Sequence, residues 1–250
     1  MFEPRVLHED NHLLVVVKPA GMPVQGDKSG DPDLLSNCRE YIRVKFNKPG
    51  NVYLGLVHRL DRNVSGPVVF ARTSKAAARL SKQFREHSPG KIYHALVAGR
   101  PETDAGERRD YIIKDGRTRT ARPGRPEQSD AKEAILNWRL LDSKLITKRE
   151  MNNRLFPEPG DPEHDDSSMN EHPVSLLEIE LKTGRFHQIR FQLSRMGLPI
   201  LGDAKYRSRF FLRNHGLALE AVRLDILHPV GKTPLSMEGE FRLRSALSGP

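Results

Sequence analysis

Apolar positions along this chain change period several times, and each change marks an element. Leu13-Leu14-Val15-Val16-Val17 is an unbroken β-rich run stopped by Lys18-Pro19-Ala20-Gly21, which predicts a strand and a turn. Asp31-Pro32-Asp33 then reads as a helix start, with Asp31 as cap and Pro32 at the first helical position. Leu34, Leu35, Cys38, Tyr41 and Ile42 follow at helical spacing. Val68 to Ala71 is a short buried strand, and Ser74 caps a helix whose Ala77, Leu80 and Phe84 share a face. From Lys91 to Gly99 the chain alternates, with Ile92, His94 and Leu96 on one side and Tyr93, Ala95 and Val97 on the other. Further strands are expected at Ala134–Leu141, which carries Trp138, and at Val174–Lys182, with Leu177, Ile179 and Leu181 on one face. Thr183-Gly184-Arg185 is a turn before a helix from Phe186 to Met196, which buries Phe186, Ile189, Leu193 and Met196 and is ended by Gly197 and Pro199.

Two stretches lack an apolar period. Residues 117–125, RTRTARPGR, form a basic loop, and residues 150–172 are polar, acidic and Pro-containing, as expected of a mobile loop or insertion. Strands and helices mix without strict βαβ alternation, which predicts an α+β fold with substantial antiparallel pairing, as a single domain over 1–250.

Composition narrows the partners. Lys and Arg outnumber Asp and Glu by 41 to 32, for a formal charge of +9 and a pI near 9.8. Such an excess suits a polyanion, most simply nucleic acid, although a basic surface also serves solubility. With Cys38 as the one cysteine, an intrachain disulfide and a cysteine-based zinc site are excluded. The start, MFEPRVLHED, is no secretory signal, and the apolar runs are too short to span a bilayer, so a cytoplasmic protein is expected.

Four segments could carry chemistry. VHRLDRNVSG, residues 57–66, sets one carboxylate, Asp61, among His58, Arg59 and Arg62 just before a strand. Its plainer reading is a surface salt bridge. Lys91-Ile92-Tyr93 puts a phenol beside a cation, where core packing is the commoner role of a strand tyrosine. In LKTGRFHQIR, residues 181–190, Arg185 stands just before a helix, whose unpaired backbone N–H groups favour negative charge. LGDAKY, residues 201–206, is a turn that either braces a site or closes a loop. The scattered histidines form no metal-ligand pattern, and His187 reads as a hydrogen-bonded support rather than a ligand. Neither a G-x-S-x-G elbow nor a phosphate-binding glycine loop occurs.

HRLD followed by VSG, then KIYHALVAG, then LKTGRFHQIR, in that order, resembles the three signature motifs of the RluA-type pseudouridine synthases. VLHEDNHLLVVVKPAGMPVQ, LGDAKYR and LALEAVRLDILHP resemble the family's flanking segments, so the likeness runs from Arg5 to about Phe241. The chain departs from the pattern at Val64, where the family usually has Thr. The hydroxyl is lost, and activity is expected to survive because the carboxylate is intact. No appended N-terminal RNA-binding domain is expected before the catalytic part.

The resemblance implies a mixed, largely antiparallel central sheet flanked by helices and loops, with a central catalytic cleft. It implies isomerisation of uridine in structured RNA, a ribosomal or transfer RNA stem-loop, by base flipping and re-formation of the glycosidic bond, with no cofactor and no metal. Asp61 would attack the ribose or the base, or remove a ribose proton, and these routes stay open. Tyr93 would lie against the target base, as a candidate to take the C5 proton, and Arg185 would pair with Asp61. Arg59 would help displace the nucleotide, at a flipping cost of about a few kcal/mol. His58, Arg62, His187, Gln188 and Arg190 are further expected RNA- or base-binding residues, and Arg117, Arg119, Arg122 and Arg125 an RNA clamp. The acidic 150–172 segment would repel RNA. A monomer without an obligatory protein partner is expected. The rival readings are an RNA chaperone of the same fold and a base-excising glycosidase.

Overall fold

A computed structural model describes residues 3–155, 170–212 and 216–248. In chain order its elements are β1 (Arg5–Glu9), β2 (Leu13–Lys18), α1 (Leu34–Lys45), β3 (Gly55–Leu56), β4 (Gly66–Ala71), α2 (Ser74–Arg85), β5 (Gly90–Ala98), β6 (Ala105–Asp115) and β7 (Thr120–Pro123). There follow β8 (Lys132–Ile146), α3 (Lys148–Leu155), β9 (His172–Leu181), α4 (Gln188–Arg195), a 3-10 turn (Ala204–Tyr206), β10 (Leu219–Leu227), β11 (Pro234–Glu238) and α5 (Arg242–Ser248). The mixture of strand and helix is the α+β class that the apolar pattern predicts. Two compact units result, one of Met1–Lys91 with Ala221–Glu240, the other of Ile92–Glu220 with Phe241–Pro250. No helix among the described residues is long and apolar enough to cross a membrane.

The first unit is built on the antiparallel sheet β1-β2-β4-β3 together with the β10–β11 hairpin. Strands β2 and β4 are buried on both faces, which is why their sequences read as unbroken apolar runs. They pair from Leu13↔Ala71 to Lys18↔Gly66. Leu13, Val15, Val69 and Ala71 of the sheet pack on Ala76 and Leu80 of α2 and on Leu224, Ile226 and Met237 of the hairpin. Helix starts differ from expectation by one or two residues. Asp33, not Asp31, caps α1, its Oδ1 accepting Ser36 N–H at 2.9 Å, and Asp31 bonds to Arg62 instead. Thr73, not Ser74, caps α2 through Ala76 N–H.

The second unit is built on an antiparallel sheet ordered β5-β9-β8-β6-β7. Residues 117–125 are not a loop throughout: Thr120–Pro123 is β7, paired with β6 from Ile112↔Pro123 to Asp115↔Thr120. Four residues are too few to show a period, and the charges on β6 mask its own. At the start of the 150–172 segment, Met151 and Leu155 are buried at helical spacing and make α3 part of the core. Residues 156–169 of that segment lie outside the described residues. Helix α4 begins at Gln188 rather than Phe186, because His187 at φ 51° takes the left-handed conformation and interrupts the helical path.

Candidate active site

Asp61 sits in the first unit, on the connection between β3 and β4. Its carbonyl accepts Val64 N–H at 3.1 Å, closing a tight turn over Arg62 and Asn63. The segment is fixed at its far end, where Ser65 O accepts Ala221 N–H at 2.8 Å. Gly66, at φ 133°, lies so close to β10 that a Cβ there would stand 2.2 Å from Ala221 O. Asp61 is half-buried, Arg59 exposed and Val64 buried. Val64 is buried, and its side chain needs no hydrogen-bond partner there.

Sequence reasoning missed Lys18, which is fully buried at the end of β2. Its ammonium donates to Pro19 O at 2.8 Å, Met22 O at 2.8 Å and Arg62 O at 2.7 Å, one acceptor for each proton. Burial pushes the Lys18 pKa down to about 7, the Asp61 carboxylate pulls it up, and the Arg62 guanidinium adds to the depression. Lys18 thus ties the β2 end to the backbone beside Asp61 and places a positive group in its field. The signal was in the register: a lysine closing an apolar run opposite Gly66.

The neighbours of Asp61 divide between inward and outward roles. Arg62 Nη2 donates to Ser29 Oγ at 2.9 Å and pairs with Asp31, so its guanidinium is directed at the 29–31 loop. The ring of His58 stacks on Phe84 with centroids 4.6 Å apart, and its Nε2 accepts Val69 N–H at 3.0 Å. Those contacts use His58 to hold the segment against α2 and β4.

Tyr93 and Arg185 belong to the second unit. Tyr93 is half-buried on β5, opposite Ile179 of β9. Arg185 is held by its turn: Gln188 Oε1 accepts its N–H at 2.9 Å and Thr183 Oγ1–H at 2.8 Å, while Arg185 Nε donates to Glu133 O at 2.8 Å. Gln188 is buried, and its Nε2 donates to Ile135 O at 3.1 Å, so it acts as a brace. Arg190 forms a bidentate pair with buried Asp203, both contacts 2.7 Å. LGDAKY is therefore the anchor of the GRFHQIR segment. The basic hairpin keeps Arg117, Arg119 and Arg122 exposed, with Asp130 3.9 Å from Arg122. No group of three or more His, Cys, Asp or Glu among the described residues could hold a metal ion.

Two imidazoles make stability depend on pH. Burial, reinforced by Lys91, lowers His58 from 6.5 to about 3, and burial with Arg190 and Lys205 does the same to His187. Between pH 6.5 and 3 each is neutral in the fold and protonated once unfolded, so unfolding takes up a proton. Their contribution is complete above pH 6.5 and is lost as pH falls toward 3. Urea melts at descending pH are expected to show falling stability, with a shallower slope in His187→Gln. A slope unchanged by that substitution would contradict this.

A family model described as RNA pseudouridylate synthase matches residues 12–195, a span that contains Asp61, Tyr93 and Arg185. The chain is 33% identical over 227 residues to the dual-specificity RNA pseudouridine synthase RluA of Haemophilus influenzae, covering 90% of this chain and 87% of that one. It is 29% identical over 258 residues to the ribosomal large subunit pseudouridine synthase D of Zymomonas mobilis, covering 94% and 68%. Among solved structures, human RNA pseudouridylate synthase domain containing 4 superposes with a TM-score of 0.71 at 22% identity, covering 98% of this chain and 92% of that one. That structural likeness shows the fold.

Proposed function

The chain belongs to the RNA pseudouridylate synthase family and isomerises uridine in RNA, and from that premise we propose that Asp61 is the carboxylate on which the reaction turns. One observation supports the assignment: the family match over residues 12–195 spans Asp61, Tyr93 and Arg185. Tyr93 lies against the target base and Arg185 is the counter-ion of the reacting carboxylate. Arg59, exposed two residues before Asp61, helps displace the nucleotide. His58, Arg62, Gln188 and Arg190 serve the same RNA from behind, since their polar groups are engaged with protein partners. The substrate is a stem-loop of ribosomal or transfer RNA, the target base is flipped, and the chain works in the cytoplasm as a monomer and as one catalytic domain. Sedimentation at assay concentration tests the monomeric state, and a stable dimer would reject it.

Arg117, Arg119 and Arg122 contact RNA phosphates. Changing all three to Ala is expected to weaken binding and to reduce the slope of log K against log salt by about two to three. An unchanged slope would remove the hairpin from the RNA-binding surface. The functional reading as a whole is tested by mapping pseudouridine in cells with and without the protein. Loss of one or a few positions in ribosomal or transfer RNA is expected, and an identical map would refute it.

A further inference from the structure

Tyr206 is not one of the motif residues assigned to catalysis, yet its phenol joins two parts of the second unit. It is buried, 6% exposed, at the end of the 3-10 turn. Its oxygen accepts Ala121 N–H of β7 at 2.6 Å and lies 2.9 Å from His187 Nδ1. The direction of the second bond follows from a third. Arg190 Nη1 is 3.1 Å from His187 Nε2, and a guanidinium has only donors, so Nε2 must accept. The neutral ring then carries its proton on Nδ1 and donates it to Tyr206. One phenol oxygen therefore closes on the basic hairpin from one side and on the residue before α4 from the other.

That residue needs outside support. His187 is left-handed, gives α4 no side-chain cap, and stands two positions after Arg185. The ring of Phe186 stacks on it at 3.9 Å, and Lys114 of the hairpin lies 5.0 Å from the centroid of Phe186. The Tyr206 ring packs in a buried cluster with Ile112, Ala121, Ala134 and Phe191, which joins β6, β7, β8 and α4. Hydrogen bonds and packing thus connect the hairpin to the Arg185 turn without a gap.

We propose that Tyr206 is a positioning residue, a latch through which RNA seated on the β6–β7 hairpin sets the geometry of the turn carrying Arg185. This rests on the reading that the hairpin holds RNA. The exposed Arg117, Arg119 and Arg122 repel one another until phosphates neutralise them. The hairpin then settles, and Ala121, Tyr206 and His187 move with it.

Tyr206→Phe keeps the ring and its packing and removes only the oxygen, leaving the Ala121 amide and His187 Nδ1 without this acceptor. In the isolated protein, amide exchange at Ala121 is expected to accelerate about tenfold or more, and the His187 ring nitrogens to change their shifts. On a stem-loop substrate, the turnover rate falls about tenfold while RNA affinity is kept. The triple hairpin variant lowers both affinity and turnover in the native background, but only affinity in Tyr206→Phe. Turnover losses that multiply independently, or an Ala121 amide that ignores the substitution, would overturn the latch. Should Tyr206→Phe fail to fold, His187→Asn cuts the other half and carries the same expectation for turnover. If the native protein isomerises no RNA, the catalytic reading falls and the spectra decide. His187 resonances that shift with added stem-loop RNA only when Tyr206 is present support the latch, and resonances that ignore RNA overturn it.

Discussion

Asp61→Asn is expected to lower uridine isomerisation by at least about 10³-fold while RNA affinity stays within about twofold. The substitution is nearly isosteric, and the backbone carbonyl of Asp61, which accepts Val64 N–H, is untouched. An amide is neither a nucleophile nor a base at neutral pH, so all three routes open to Asp61 lose their reacting group. Lys18 loses the negative charge that offsets its burial, so its pKa falls further. Single-turnover rates and filter binding on one RNA separate the two effects. A variant within about tenfold of the native rate would show that the reaction does not turn on this carboxylate.

The second large effect is on folding. Gly66→Ala would place a methyl 2.2 Å from Ala221 O, 2.6 Å from Ala221 Cβ, and at φ 133°. Neither obstacle is a side-chain end that can swing away, because the first is backbone in β10 and Ser65 O already holds Ala221 N–H. Backbone strain and overpacking together are expected to cost on the order of 4 kcal/mol. Gly21→Ala separates the two causes: its φ is 86° but nothing lies within 4 Å. It is expected to cost about 1 kcal/mol, from strain alone. Chemical denaturation of the three proteins gives the comparison, and equal losses at both positions would refute the clash. The glycine that ends the 57–66 segment is thus explained by the close approach of β10.

The pattern in the sequence located the elements where one side of the period is strong. β2, β4, β5 and β9 carry enough Val, Leu and Ile to be read directly, and α1 and α2 show their buried faces at Cys38, Ile42 and Leu80. The basic hairpin escaped because β6 carries four consecutive charged residues, Glu107 to Asp110, which pair with one another along the strand and, through Arg109, with Glu133 of β8 instead of marking a core face. The start of α4 escaped because a left-handed histidine leaves no mark in composition. Asp61, Tyr93 and Arg185 were legible as motif residues. The supports behind them were legible only in part: Asp203 and Tyr206 stood out as a turn, but their partners Arg190 and His187 depend on tertiary contact. Lys18 was hidden in plain register, since a buried lysine is expected only where enough carbonyls converge to take its protons.

The account stands on one product. RNA carrying [5-³H]uridine is incubated with the native chain, released tritium is counted, and the digested nucleosides are separated. The prediction is one pseudouridine formed for each tritium released, with RNA mass unchanged apart from the label and neither signal in Asp61→Asn. Uracil freed from an abasic RNA, or no change in any cellular RNA supplied, would contradict it.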